Sequence, residues 1–76
     1  MMFEKVCGIL SEFVNVDMGQ VTPESELAED LGMNSLELME AAMRLEEEFN
    51  VEIPDREIYG FRVVGDVVGY LEAAGE

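Results

Sequence analysis

Histidine is absent from this 76-residue chain, cysteine occurs once, and only four residues are basic. Without histidine there is no imidazole to serve as a general base or to bind zinc, and the lone Cys7 can form no intramolecular disulfide. No apolar run approaches the length of a membrane span, and Glu4 stands where a secretory signal would be basic and then apolar. The expectation is a soluble, cytoplasmic monomer. A chain of this length builds one domain, residues 1–76, around one small core, too small to enclose a deep active site.

Eighteen acids face those four bases, giving a formal net charge of −14. Such a surface repels nucleic-acid backbones and anionic membranes and suits basic patches on other proteins. Acidic chains often fail to fold, but here 49% of residues are hydrophobic and they recur periodically.

Phe3, Val6, Cys7, Leu10, Phe13 and Val14 fall on one helical face, which predicts a first helix from Met2 to Val14. Cys7 lies on that stripe as a small hydrophobe with no base beside it. From Asn15 to Asn34 the pattern stops, and a connection of that length in a small domain is usually functional. Thr22 is placed to cap a short turn with Pro23 at its first position, and Leu27 and Leu31 are spaced to pin the loop to the core.

Asn34 and Glu37 form an Asn version of the capping box, with Gly32 supplying the bend before it, so a second helix runs to Phe49 and breaks at Asn50. Pro54 biases Ile53 to an extended conformation, Asp55 can cap a brief third helix over Arg56 to Tyr59, and Gly60 ends it. Val64, Val67, Val68 and Leu71 predict a fourth helix from Val64 to Ala74. Gly65, Gly69 and the missing polar cap before Val64 predict that it is the weakest and that its start frays. The fold class is therefore all-α, a four-helix bundle with a long first loop and a short third helix.

The second helix carries two stripes. Leu38, Ala41, Ala42, Leu45 and Phe49 form an ordinary core face. Leu36, Met39, Glu40, Met43 and Glu47 form another, mixing apolar and acidic residues. Met39 and Met43 read either as peripheral core or as an exposed contact patch ringed by Glu40, Glu46 and Glu47. Arg44 is spaced to pair with Glu40 and Glu48.

Ser35 stands at the junction of the long loop and the second helix, where amides point outward and the helix dipole favours a phosphate. A serine there is ordinarily a turn or capping residue. A serine-hydrolase reading lacks its base, since an acid or Lys5 would have to be improvised for the role.

The string Asp30-Leu31-Gly32-Met33-Asn34-Ser35-Leu36, with Glu37-Leu38-Met39-Glu40, Leu45-Glu46-Glu47-Glu48-Phe49 and Ile53-Pro54-Asp55, resembles the acyl carrier protein family over nearly the whole chain. The resemblance implies a carrier, not an enzyme, with the fold of a four-helix bundle and no catalytic or metal-binding residues of its own. It implies that a phosphopantetheinyl transferase moves 4′-phosphopantetheine from coenzyme A onto Ser35. Acyl groups would then ride as thioesters on that arm, in fatty-acid, polyketide or related lipid biosynthesis. Leu36, Met39, Glu40, Met43, Glu46 and Glu47 match the family's partner-contact positions, which implies docking to the transferase and to acyl-transferring and chain-elongating enzymes through basic patches. A loosely packed core of Val, Ala and Met would have room to open around an acyl chain.

The chain departs from the family's pattern at Asn34, where relatives usually carry Asp, whose carboxylate helps hold the transferase's magnesium. Asn caps a helix equally well but has no charge, so which transferase accepts the chain turns on this position. The fourth helix also begins at Val63-Val64, where relatives often place a Thr cap. An unmodified acidic interaction module of the same fold is the alternative, and an esterase-like enzyme is third.

Overall fold

The computed structural model describes residues 1–75 and contains four helices: α1 (Met2–Leu10), α2 (Ser35–Phe49), α3 (Asp55–Gly60) and α4 (Val64–Ala74). A 3-10 turn at Met18–Gln20 interrupts the long loop between α1 and α2. Helix α1 packs against α2 and α4, and α3 packs against α2. All buried side chains among the described residues are apolar, so the charges lie on the outside of the bundle.

Helix α1 buries Val6, Cys7, Ile9 and Leu10 but ends at Leu10, four residues before the expected Val14. The Ser11 hydroxyl donates to the Gly8 carbonyl, and Glu12 and Phe13 donate to Ile9 and Leu10, which tightens the chain into a turn. Phe13 and Val14 still pack half-buried against the core, which is why the apolar period outruns the helix.

Helix α2 has the expected limits. Glu37 N–H donates to Asn34 Oδ1 at 2.8 Å and Asn34 N–H donates to Glu37 Oε1 at 3.1 Å, so the capping box is complete. Asn50 stops the helix in the left-handed conformation at φ 55°, which Asn tolerates better than most residues. Helix α3 differs from expectation at both ends. Pro54 is its cap and Asp55 its first residue, without a side-chain capping bond, and Gly60 is the last helical residue, with Phe61 beyond it. Its segment is held from outside, because Ile53 N–H donates to the Glu46 carboxylate at 2.7 Å and Tyr70 O–H to the Glu52 carbonyl at 2.8 Å.

The start of α4 is the larger correction. No polar side chain precedes Val64, yet the start is not left to fray, because the long loop supplies the acceptors. Val64 N–H donates to the Ser25 carbonyl at 3.0 Å and Gly65 N–H to the Pro23 carbonyl at 2.8 Å. Leu27 N–H returns a bond to the Arg62 carbonyl at 2.9 Å, closing an antiparallel bridge between Glu26 and Val63. Asp66 Oδ2 accepts from the amides of both Arg62 and Val63, which holds the Asp66 carboxyl below its ordinary range. The Thr22-Pro23 turn belongs to this system with the capping roles reversed: Thr22 N–H donates and Ser25 Oγ accepts. Gly32, at φ 73°, turns the chain toward α2, and Leu27, Leu31 and Met33 anchor the loop in the core.

Gly65 gains a reason from this packing. A Cβ there would stand 3.0 Å from the Pro23 carbonyl oxygen, whereas one at Gly69 would meet open space. Gly69→Ala is therefore expected to stabilise the chain by up to about 1 kcal/mol, and Gly65→Ala to destabilise it despite the better helix propensity of alanine. Urea unfolding of the two variants checks the opposite signs. Asp66→Ala is expected to cost about 1 kcal/mol more than Glu72→Ala, an exposed replacement of equal charge on the same helix. Because folding lowers the Asp66 carboxyl, its stabilisation is present in full above the ordinary carboxylate range. It fades as the pH falls through the lower folded value, and denaturation between pH 7 and 2 is expected to show that component missing from Asp66→Ala.

Candidate functional site

The chain has three serines and one threonine. Ser11 donates to the Gly8 carbonyl, Ser25 accepts from Thr22 N–H, and the Thr22 and Ser25 hydroxyls lie 3.5 Å apart. The Ser35 hydroxyl, exposed at the first position of α2, has no such partner among the described residues. Asn34 directly before it is also exposed, but its side chain is committed to Glu37 N–H.

Ser35 borders a cleft of about 240 Å³ beside the start of α2. Leu27, Met33, Leu38 and Ile58 give it an apolar floor, and Glu26, Tyr59 and Arg62 add polar groups to its lining. Arg62 and Glu26 pair at 3.2 Å across the bridge that ties the long loop to the start of α4. Sequence reasoning missed Glu26, Tyr59 and Arg62 as neighbours of this cleft. The available signal was Arg62 itself, one of only four basic residues, set among apolar neighbours in the connector after α3.

The second stripe of α2 divides. Leu36 and Met43 are 67% and 63% exposed, too open for peripheral core, whereas Met39 is half-buried and packs on the core. Glu40 and Glu47 are exposed and, with Met43, Phe13 and Arg44, border a shallow groove. Glu46 is half-buried and already accepts from Ile53 N–H, so it is less free than its neighbours. The expected pairing of Arg44 with Glu40 does not form. Arg44 instead meets Glu12 through two bonds of 3.3 Å and lies 4.0 Å from Glu48, because the turn after α1 brings Glu12 across to α2. The Glu12 carboxylate holds the Arg44 proton more firmly and leaves Glu40 without an ion pair among the described residues.

Cys7 is buried in the core, and burial pushes its thiol above the ordinary range, which suits a packing residue and not a nucleophile. Despite eighteen acids, no group of three or more potential metal ligands converges among the described residues. No helix there is long and apolar enough to cross a membrane.

The family model described as the phosphopantetheine attachment site matches residues 4–71. The acyl carrier protein of Helicobacter pylori is 49% identical over 71 residues, covering 93% of this chain and 91% of that protein. The acyl carrier protein of Helicobacter acinonychis is 46% identical over the same shares. Two solved structures align with 96% of this chain: the acyl carrier protein of Enterococcus faecalis, with 32% identity, 92% of its chain covered and a TM-score of 0.82, and a Mycobacterium tuberculosis protein, with 30% identity, 97% covered and 0.88.

The local geometry of the α2 start separates the structural role of Asn34 from any other. Asn34→Ala removes the acceptor for Glu37 N–H and is expected to cost about 1 kcal/mol, while Asn34→Asp keeps it and is expected to unfold near the wild type. Thermal and urea denaturation of the pair check this.

Proposed function

This chain belongs to the acyl carrier protein family, and from that premise we propose that Ser35 bears the arm and that the loaded chain carries acyl groups as thioesters. The family's prosthetic group is 4′-phosphopantetheine, held covalently, and its members are carriers and not catalysts. The observation that supports Ser35 is its exposed hydroxyl at the start of α2, without a hydrogen-bond partner among the described residues and with a cleft alongside, at the position the motif resemblance implies.

The residues present fit the arm. On loading, the Ser35 oxygen forms its bond to the phosphorus that bears pantetheine. The bond from that phosphorus to the nucleotide half of coenzyme A breaks, and the hydroxyl proton passes to the transferase. The chain needs no base of its own for this, in keeping with the absence of histidine. The arm supplies the thiol on which acyl groups are carried. The start of α2 favours the negative charge that loading adds, while Leu36, Met43, Glu40 and Glu47 offer an exposed apolar and acidic face beside it. Glu46 is retained as a partner contact through the carboxylate oxygen that Ile53 does not use, and Met39 through its exposed part. The partners proposed are the transferase and acyl-transferring and chain-elongating enzymes with basic docking patches. The pathway proposed is fatty-acid biosynthesis, with polyketide and related lipid pathways drawing on the same chemistry.

Intact mass after incubation with coenzyme A and a transferase tests the site: wild type is expected to gain one phosphopantetheine and Ser35→Ala none. No gain with any of several transferases would leave an unmodified interaction module as the better description. The acidic face has its own test, in which Glu40→Lys or Glu47→Lys slows association with the transferase several-fold at low salt, with the difference shrinking as salt rises. Association rates that match wild type at low salt would remove the electrostatic part of the proposal.

A further inference from the structure

Among the described residues, the one basic side chain that lines the Ser35 cleft is Arg62. Its backbone is fixed on both sides, with N–H donated to Asp66 and the carbonyl accepting from Leu27. Its side chain is not fixed in the same way. The guanidinium is 71% exposed and its ion-pair partner Glu26 is 40% exposed, so the pair is of the kind that contributes little and exchanges easily. Arg62 and Ser35 line the same cleft, so its rim faces a long and flexible arginine side chain.

The first turn of α2 leaves an anion on Ser35 only partly served. The Asn34 and Glu37 amides are occupied by the capping box, and the Glu37 carboxylate, bonded to Asn34 N–H, brings a negative charge to the same turn. Asn34 itself is neutral. An anion placed on Ser35 therefore finds the amides of Ser35 and Leu36 on one side, a carboxylate close by, and a single cation across the cleft.

We infer that Arg62 is a positioning residue for the phosphodiester that loading places on Ser35, and that its guanidinium leaves Glu26 for that phosphate in the loaded chain. The inference rests on Ser35 being the attachment site. The planar guanidinium can present two donors to two phosphate oxygens, which the ammonium of lysine cannot reproduce in the same geometry. Glu26 and Asp66 are the carboxylates that compete for it, through the ion pair and through the charge that Arg62 lends to the Asp66 site. Arg62 thus draws the root of the arm toward the apolar floor of the cleft and away from the exposed face of α2.

The test uses the full chain, loaded and checked by mass, and reads the arginine and the phosphorus directly by NMR. Loading is expected to shift the Arg62 Nε–H resonance. Arg62→Gln is expected to move the phosphorus resonance to the position seen in the urea-unfolded loaded chain, with Arg62→Lys between that position and wild type. High salt is expected to move wild type the same way, and Glu26→Gln to move it the opposite way, because the rival carboxylate is gone. Backbone amide spectra confirm that the variants fold. An unmoved Nε–H resonance on loading, with phosphorus resonances identical in wild type and Arg62→Gln, would overturn the inference and leave Ser35 as the site intact. A chain that gains no mass at Ser35 overturns both.

Discussion

Three backbone hydrogen bonds among the described residues, between the long loop and the start of α4 with the connector before it, determine how the bundle closes. Gly65 N–H to Pro23, Val64 N–H to Ser25 and Leu27 N–H to Arg62 join segments some forty residues apart in sequence. They satisfy amides that α4 would otherwise expose, since no side chain before Val64 can accept them. They also fix Leu27 against the core and hold Arg62 on the rim of the Ser35 cleft. A loop that looks like slack in so short a chain is therefore the closing element of the fold.

The distribution of charge follows a similar division of labour. With no polar side chain buried among the described residues, the bundle interior carries no ionic cost, and the acids are left on the surface as a negative field. Arg44 lies inside the acidic helix, but Glu12 draws it aside and leaves Glu40, next to Met43, without an ion pair among the described residues. Glu46 serves the fold as well, holding Ile53 and with it the approach to α3 through one carboxylate oxygen. One helix thus packs the core with Ala41, Ala42 and Leu45, and presents an exposed face beside Ser35.

What was legible beforehand was local. The second helix could be read to within a residue because its cap, its stripe and its stop signal at Asn50 all act within a few positions. The family resemblance pointed to Ser35 through a motif, and a hydroxyl without a partner among the described residues is a structural feature the motif does not encode. What escaped reading depends on contacts distant in sequence. The end of α1 is decided by a side-chain bond from Ser11, while the apolar period continues past it. The partner of Arg44 comes from another helix's turn, and i, i+4 spacing could not name it. Gly65 looked like a weakness of α4 and is a requirement of the Pro23 approach. The cleft assembles residues from three separate segments, so no window of sequence contains it.

The proposed role rests on one oxygen among four aliphatic hydroxyls. Fragmentation mass spectrometry of the loaded chain can place the arm on a single residue, which intact mass does not do. The arm is expected on Ser35 alone, with Ser11, Thr22 and Ser25 unmodified. An arm found on Ser11, Thr22 or Ser25, with Ser35 bare, would contradict the assignment of the site and the reading of the cleft built on it.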